Sequence, residues 1–420
     1  MPPAPPTLVG VLRRTSALLV GALASLLGVV LVASPAGAEL AGAARHPGVH
    51  VSGFQSSGST IVTVPTGIPL FIGVGAPSRP MNLRSAGDLP SGVSPTMRAA
   101  VTQFFEQSGS LDDGAWIVGT AAATGASIAA TVSDPATIAV GSPTFGVPDL
   151  YVAPDLASLA GDEWTSAVVA MGRAAARNRA VALVDAPQAT VRAAMASPAN
   201  ATSLVALASQ VRTALGGDAR SVFLLGSGVV SGGQVLGAAA PYSGLLARND
   251  RNEGVWQSAA NVPFSGLDAQ WSPTGTLAGM LNVSGIAILR SFPSRGSLVW
   301  SERTVAGLSA NAYLNNVRTV DTMQRSIAEG LQGYVFYAND ATTWAAITSS
   351  IDSYLQGWWS EGALFGWNAR TAYTVQCGIG TSMTAQDILN GFLHVDVTAR
   401  LSSSGLPPVS WTQSLQMQTD

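Results

Sequence analysis

The chain has no lysine: all 21 of its basic residues are arginine. Charged residues fill only 11% of its 420 positions, against about 25% in an average domain. It has one cysteine, Cys377, and three histidines, His46, His50 and His394. Each shortage excludes something. Without lysine there is no phosphate loop of the Walker type. A lone cysteine forbids an intrachain disulfide, so folding does not depend on an oxidising compartment. Three histidines, one cysteine and scattered acids offer no metal-ligand spacing. The net charge is −3 and there is no basic block, so nucleic acid is not an expected partner. No histidine lies between Val51 and Leu393. A Ser-His-Asp triad needs one beside its serine and its acid, so the long middle of the chain cannot build that catalyst. His394 falls on the strand face of Phe392 and Asp396 and reads as a surface or interface residue.

Hydrophobic residues make up 47% of the chain and glycine contributes 45 positions. A surface this poor in charge favours association. The length suits two or three domains. At the N-terminus, Arg13-Arg14 precede an apolar run from Ala17 to Ala33, followed by Ala36-Gly37-Ala38. That is the layout of a secretory signal. The alternative is a start site placed too early, with a valine between Val11 and Val32 as the true initiator. No other apolar run approaches the ~20 residues of a membrane span, so no stable span is expected once the leader is absent or cleaved.

Periodicity organises the rest. Ile61–Val64 and Leu70–Val74 read as β-type runs around a Pro/Gly turn. Met97–Gly114 reads as a helix with Met97, Val101, Phe104 and Phe105 at helical spacing, leading into a strand at Ala115–Val118. From Leu150 the pattern becomes strand, helix, strand, two helices, strand. Its strands are Leu150–Ala153, Ala180–Asp185 and Ser221–Leu225, and the pattern argues for a parallel α/β unit. Asn316–Leu331 is amphipathic, with Asp321, Arg325 and Glu329 opposite the apolar face. Asp340 reads as the N-cap of a helix whose stripe runs through Trp344, Ile347, Ile351, Tyr354, Leu355 and Trp358. Strands follow at Ala372–Gln376 and Phe392–Thr398, which makes the last third α+β. Val409–Met417 reads as a final strand or arm.

Other candidate motifs weaken on inspection. Gly226-Ser227-Gly228 after a strand hints at a dinucleotide loop, but Ser231 stands where a small residue is needed. Asp112-Asp113 and Asp162-Glu163 are adjacent in sequence, so their carboxylates point apart. One polar cluster stands out. Arg248, Asp250, Arg251 and Glu253 fall within six residues and run into Trp256, and Trp300, Glu302 and Arg303 follow downstream. A solvated helix end explains the first four. A hydrogen-bonded brace between two domains explains them as well, and arginine suits it through bidentate pairing. Trp256 and Trp300 read first as core aromatics.

Several blocks, in order, resemble phage tail sheath proteins. They are HPGVHV from His46, AVTQFFEQSG, ARNDRNEGVW with SAAN, LNVSGIAILRSFPSRGSLVWSERT, VRTVDTMQRSIAEGL and FYANDATTWAAI. Ser301 stands where the family often has glycine. The resemblance covers residues 45–420 and implies a contractile sheath subunit with no catalytic residues and no cofactor. It implies a helical homopolymer around an inner tail tube protein, with baseplate and terminator proteins as further partners. The fold it implies has five parts: a leader at 1–44; an N-terminal arm and β-rich region at 45–148; a subtilisin-like α/β domain at 149–260; an α+β C-terminal domain at 261–405; and a C-terminal arm at 406–420. Arg248, Asp250, Arg251, Glu253, Trp256, Trp300, Glu302 and Arg303 become candidate interdomain residues. Pro47, Gly48, Val49 and Val51, with Trp411 and Leu415, become candidates in arms that reach a neighbouring subunit. The implied location is the virion tail, assembled in the bacterial cytoplasm. Two other classes compete: a secreted α/β hydrolase, and an exported cell-surface structural or binding protein.

Overall fold

The computed structural model describes residues 60–110, 114–138, 141, 146–309, 312–402 and 407–417. The leader and the arm residues Pro47, Gly48, Val49 and Val51 lie outside them.

The strands in chain order are β1 (Pro69–Val74), β2 (Met81–Leu83), β3 (Ala115–Thr120), β4 (Leu150–Val152), β5 (Val181–Asp185) and β6 (Val222–Leu225). Then come β7 (Val229–Ser231), β8 (Gln234–Leu236), β9 (Asp268–Ala269), β10 (Ile286–Ala287), β11 (Leu289–Phe292) and β12 (Gly296–Val299). The last are β13 (Tyr373–Cys377), β14 (Phe392–Ala399) and β15 (Val409–Gln416). The helices are α1 (Pro95–Ser108), α2 (Gly125–Ser133), α3 (Pro135–Ile138), α4 (Gly161–Arg177), α5 (Gln188–Ala196) and α6 (Thr202–Leu215). They continue with α7 (Ala239–Glu253), α8 (Gly275–Val283), α9 (Leu314–Gly330), α10 (Ala341–Ser360), α11 (Ala369–Ala372) and α12 (Ala385–Leu389).

The main sheet has the order β10-β6-β5-β4-β1-β3-β2. Every pairing is parallel except β2 with β3. Strand β1 pairs with β3 on one side and β4 on the other. Its sequence, PLFIGV, is apolar throughout, as a strand covered on both faces requires. Leu70 and Ile72 face the layer of α2, α4 and α6, where Ile128, Trp164, Val168 and Leu204 pack. Phe71 faces the other way, against Val101 and Phe104 of α1 and Tyr242 and Leu245 of α7. Helices α1 and α7 touch through Gly244, where a Cβ would come 2.3 Å from the Phe104 carbonyl oxygen.

This sheet is larger than the 149–260 unit that periodicity marks out. The 45–148 stretch reads as a β-rich region of its own, but its strands β1–β3 are three of the seven strands of the same sheet. Strand β10 adds an edge from beyond residue 260. The reason is pairing at long range: β1 joins β4 across the chain, which local patterns cannot show. Residues 61–64 form no strand. Ile61 is instead buried against Gly330 at the end of α9. After Gly226-Ser227-Gly228 the chain enters the β7–β8 hairpin rather than a helix, as a plain turn would have it.

In the last third, β13, β14 and β15 form an antiparallel sheet. Leu393, Val395 and Val397 of β14 point into a core with Ile347, Ile351, Leu355 and Trp358 of α10. Asp340 caps α10, its carboxylate accepting from the Thr342 and Thr343 amides at 3.0 Å. The C-terminal segment, read as a final strand or arm, is over 409–416 the third strand of the protein's own sheet. There Leu415 is buried and Trp411 half-buried opposite Val397.

Helix α9 joins the two cores. Leu314 and Val317 pack with the main sheet, while Val320, Met323 and Ile327 pack with α10 and β14. A helix covered on several sides must bury its polar residues too. Asp321, expected on an exposed face, is 2% exposed, and Arg318 is 3% exposed.

Candidate docking site around helix α9

Arg318 is the centre of the most buried charge network. It projects from α9 onto Asp250 of α7, with Nη1 donating to Oδ1 at 2.9 Å and Nη2 to Oδ2 at 2.5 Å. Nη2 also donates to Oδ2 of Asp149, just before β4, at 3.0 Å. The Asp250 pairing is bidentate, which the planar guanidinium allows and an ammonium does not. Asp149 in turn accepts from the Gly67 and Ile68 amides at 3.1 and 2.7 Å, fixing the entry to β1. The two paired side chains are 3% and 4% exposed. Burial disfavours the guanidinium charge, but the Asp250 and Asp149 carboxylates outweigh it and hold Arg318 above the ordinary arginine range. A buried pair like this gives little net stability, whereas removing one member costs about 3–5 kcal/mol.

One turn along α9, Asp321 pairs with Arg220 at 3.3 Å. Near the start of the helix, Asn315 donates to the Trp256 carbonyl at 2.9 Å. Glu302 closes the site from another side. It is 7% exposed, and its Oε1 accepts from the Ala260 amide at 3.1 Å. Burial pushes its carboxyl up to about 7, against the Ser258, Ala259 and Ala260 hydrogen bonds that favour the charge.

The expected brace residues divide. Asp250, Trp256 and Glu302 converge on α9. Trp256 is half-buried and meets Trp358 of α10 edge-on at 5.5 Å, so it links α7 to the C-terminal core. Arg248 and Arg251 act beside it, on neighbouring loops. Arg251 donates to the Ser108 carbonyl at the end of α1 at 2.8 Å, and Arg248 donates to the Pro263 carbonyl at 3.1 Å. Arg303 is local: it donates to the Tyr313 hydroxyl at 2.7 Å and lies 4.6 Å above that ring. Glu253 is exposed at the end of α7. Trp300 is no core residue. It is 43% exposed and tilts against Phe292 at 5.1 Å.

Sequence reasoning missed Arg318 and Asp149. A signal for Arg318 did exist. It stands four positions after the buried Leu314, on a helix otherwise read as amphipathic. His394 lies with Phe392 and Asp396 on the face of β14 turned away from Leu393 and Val395, and its Nδ1 is 2.8 Å from the Ser414 hydroxyl. Among the described residues, no group of three or more His, Cys, Asp or Glu could hold a metal ion. Arg318 is the one cation among the described residues that pairs with both Asp149 and Asp250. This arrangement fixes α9 to α7 and to the start of β4, and the same helix packs on both cores.

A mostly parallel α/β sheet is joined through a bridging helix to a small α+β unit, and chains of similar sequence and fold are sheath proteins. Residues 309–390 match the phage tail sheath C-terminal domain. A putative prophage major tail sheath protein of Pseudomonas aeruginosa (strain UCBPP-PA14) is 26% identical over 208 residues, 46% of this chain. The aligned region spans about half of that relative, 49% of its length. Among solved structures, the contracted helical sheath of the anti-feeding prophage is 25% identical, with a TM-score of 0.65. The match covers 89% of this chain and 99% of that one. The contracted sheath of the extracellular contractile injection system PVC has a TM-score of 0.66 at 21% identity, covering 89% and 98%. The chain therefore matches a sheath C-terminal domain over residues 309–390 and is similar to contractile sheath proteins over most of its length.

Proposed function

We propose that the protein is the structural subunit of a contractile sheath. Copies stack into a helical polymer around an inner tube, and contraction drives that tube through a target envelope. The observation that carries this reading is the likeness to the contracted anti-feeding-prophage sheath over nearly the whole of both chains. Sheath contacts must be heterologous, so that they propagate instead of closing into a pair. Contraction is a switch between two packings of one rigid subunit. The α9 lock supports such a role, because it keeps both cores together while contacts between subunits change. The inner tube, baseplate and terminator proteins are the partners on this account, and no cofactor enters it.

The 45–59 arm and the outer edge of β15 serve as the links between neighbours, through added strands. On this reading the working parts are one sheet unit from residue 69 to 287, a C-terminal unit built on α10 and β13–β15, and α9 shared between them. The secreted hydrolase lacks the histidine it needs. Export of a surface protein rests on the leader alone. Among the described residues, no helix is long and apolar enough to cross a membrane. Mass spectrometry of the mature N-terminus separates the two compartments, since cleavage after Ala38 requires export.

Sedimentation of the purified full chain tests the reading. A sheath subunit gives polydisperse, concentration-dependent polymers of high mass. A monomer or a closed dimer at every concentration overturns it.

A further inference from the structure

Between the end of α4 and the last turns of α9 lies an open cavity of about 630 Å³. Arg177, Arg179 and Arg325 line it, and Glu329 is the one acid among its lining residues. Behind them stand Asp321 and Arg220, paired at 3.3 Å. Four guanidiniums therefore meet two carboxylates in a chain that is only 11% charged.

Asp321 pulls on Arg179 and Arg325 but forms its ion pair with Arg220, and none of the three lining arginines forms an ion pair among the described residues. Arg177 is exposed and makes no hydrogen bond or ion pair among the described residues. Arg325 reaches the Val147 carbonyl at 3.4 Å, and its Nε is buried without a partner. Arg179 donates to the neutral amide of Gln324. Its φ of 51° is the one positive value at a non-glycine residue among those described. Strain of this kind is kept where the surroundings impose it, often at a binding site. Arg325 and Arg177 also act together on one neighbour. Burial pushes the Tyr151 phenol up to about 12 against the pull of both.

A plainer account would have Arg177 offset the dipole at the end of α4. That end is already closed by Asn178. Its backbone amide donates to the Ala174 and Ala175 carbonyls at 3.2 and 3.1 Å, and its side chain donates to Ala174 at 3.0 Å.

We propose that this cavity binds a phosphate group, free or carried by a small molecule, held by Arg177, Arg179 and Arg325. Guanidiniums match phosphate oxygens with paired, charge-assisted hydrogen bonds. The bound group ties the α4–β5 turn to α9, so binding stabilises the fold.

The test is thermal unfolding of the full chain in sodium phosphate, in a nucleoside monophosphate and in sodium chloride, at equal ionic strength. A saturable rise in Tm with either phosphate ligand, absent in chloride, is expected. Saturation by inorganic phosphate marks a free ion as sufficient, and a response to the monophosphate alone marks a carried group. Arg177→Gln, at an exposed position, keeps the Tm measured in chloride. It weakens apparent phosphate affinity by about tenfold, the loss of one charge-assisted contact. Equal behaviour in chloride and both phosphate ligands overturns the proposal, as does a full phosphate response in Arg177→Gln.

Discussion

Arg318 stays charged in the interior because two carboxylates from distant parts of the chain meet it there. Asp149 is 169 positions away and Asp250 is 68. Arg318→Met leaves both acids buried without their cation, and a loss of about 3–5 kcal/mol is expected in urea unfolding. Glu253→Ala, at an exposed helix end, should change stability by less than about 0.5 kcal/mol. Glu302 gives a second prediction at this scale, through pH. Its carboxyl titrates at about 7 in the fold, against an ordinary value of 4.5. Between those values the folded state holds a proton that the unfolded state has released. Stability from this group is therefore full below pH 4.5 and falls as pH rises through 7. Glu302→Gln keeps the acceptor for Ala260 without the charge. It should match the parent at pH 4.5 and exceed it at pH 8, by up to about 3 kcal/mol. Parallel curves for the two proteins across that range would refute the assignment. The same logic explains what the sequence hid. A charge pair separated by 169 positions leaves no local trace, so Asp250 stood out only because charged neighbours surround it, and its true partner did not.

At the scale of elements, local signals were legible wherever a stretch carries its own pattern. Helices α1, α4, α9 and α10 and strands β1 and β5 follow from periodicity, and Asp340 marks the start of α10. Sheet membership was not legible, because parallel neighbours pair through long crossovers. The exposure of α9 was misjudged for a related reason. Its apolar face was readable, but the second layer over its polar face comes from elsewhere in the chain. Strand β15 allows a direct test. Removing 406–420 takes Leu415 and Met417 out of the C-terminal core. A lower Tm is expected, with near-ultraviolet circular dichroism showing lost aromatic packing. Removing 39–59, outside the described residues, should leave the Tm unchanged and abolish polymers in electron micrographs. Tubes formed without residues 39–59 would remove the arm from the account. Arg251→Ala, which frees the Ser108 carbonyl at the end of α1, should cost about 1–2 kcal/mol.

At the scale of the whole molecule, the low charge content, the missing histidines and the lock around α9 point the same way. A mostly neutral surface suits a subunit that lives in contact with copies of itself. A lock built from buried, paired charges suits a body that moves as a unit. The measurement closest to the central claim is helical reconstruction by electron cryomicroscopy of assembled full-length protein. The account predicts a hollow helical lattice in which every protomer keeps Arg318 on Asp149 and Asp250, with heterologous contacts between copies. Isolated monomers, or a closed two-fold dimer with no lumen, would contradict it.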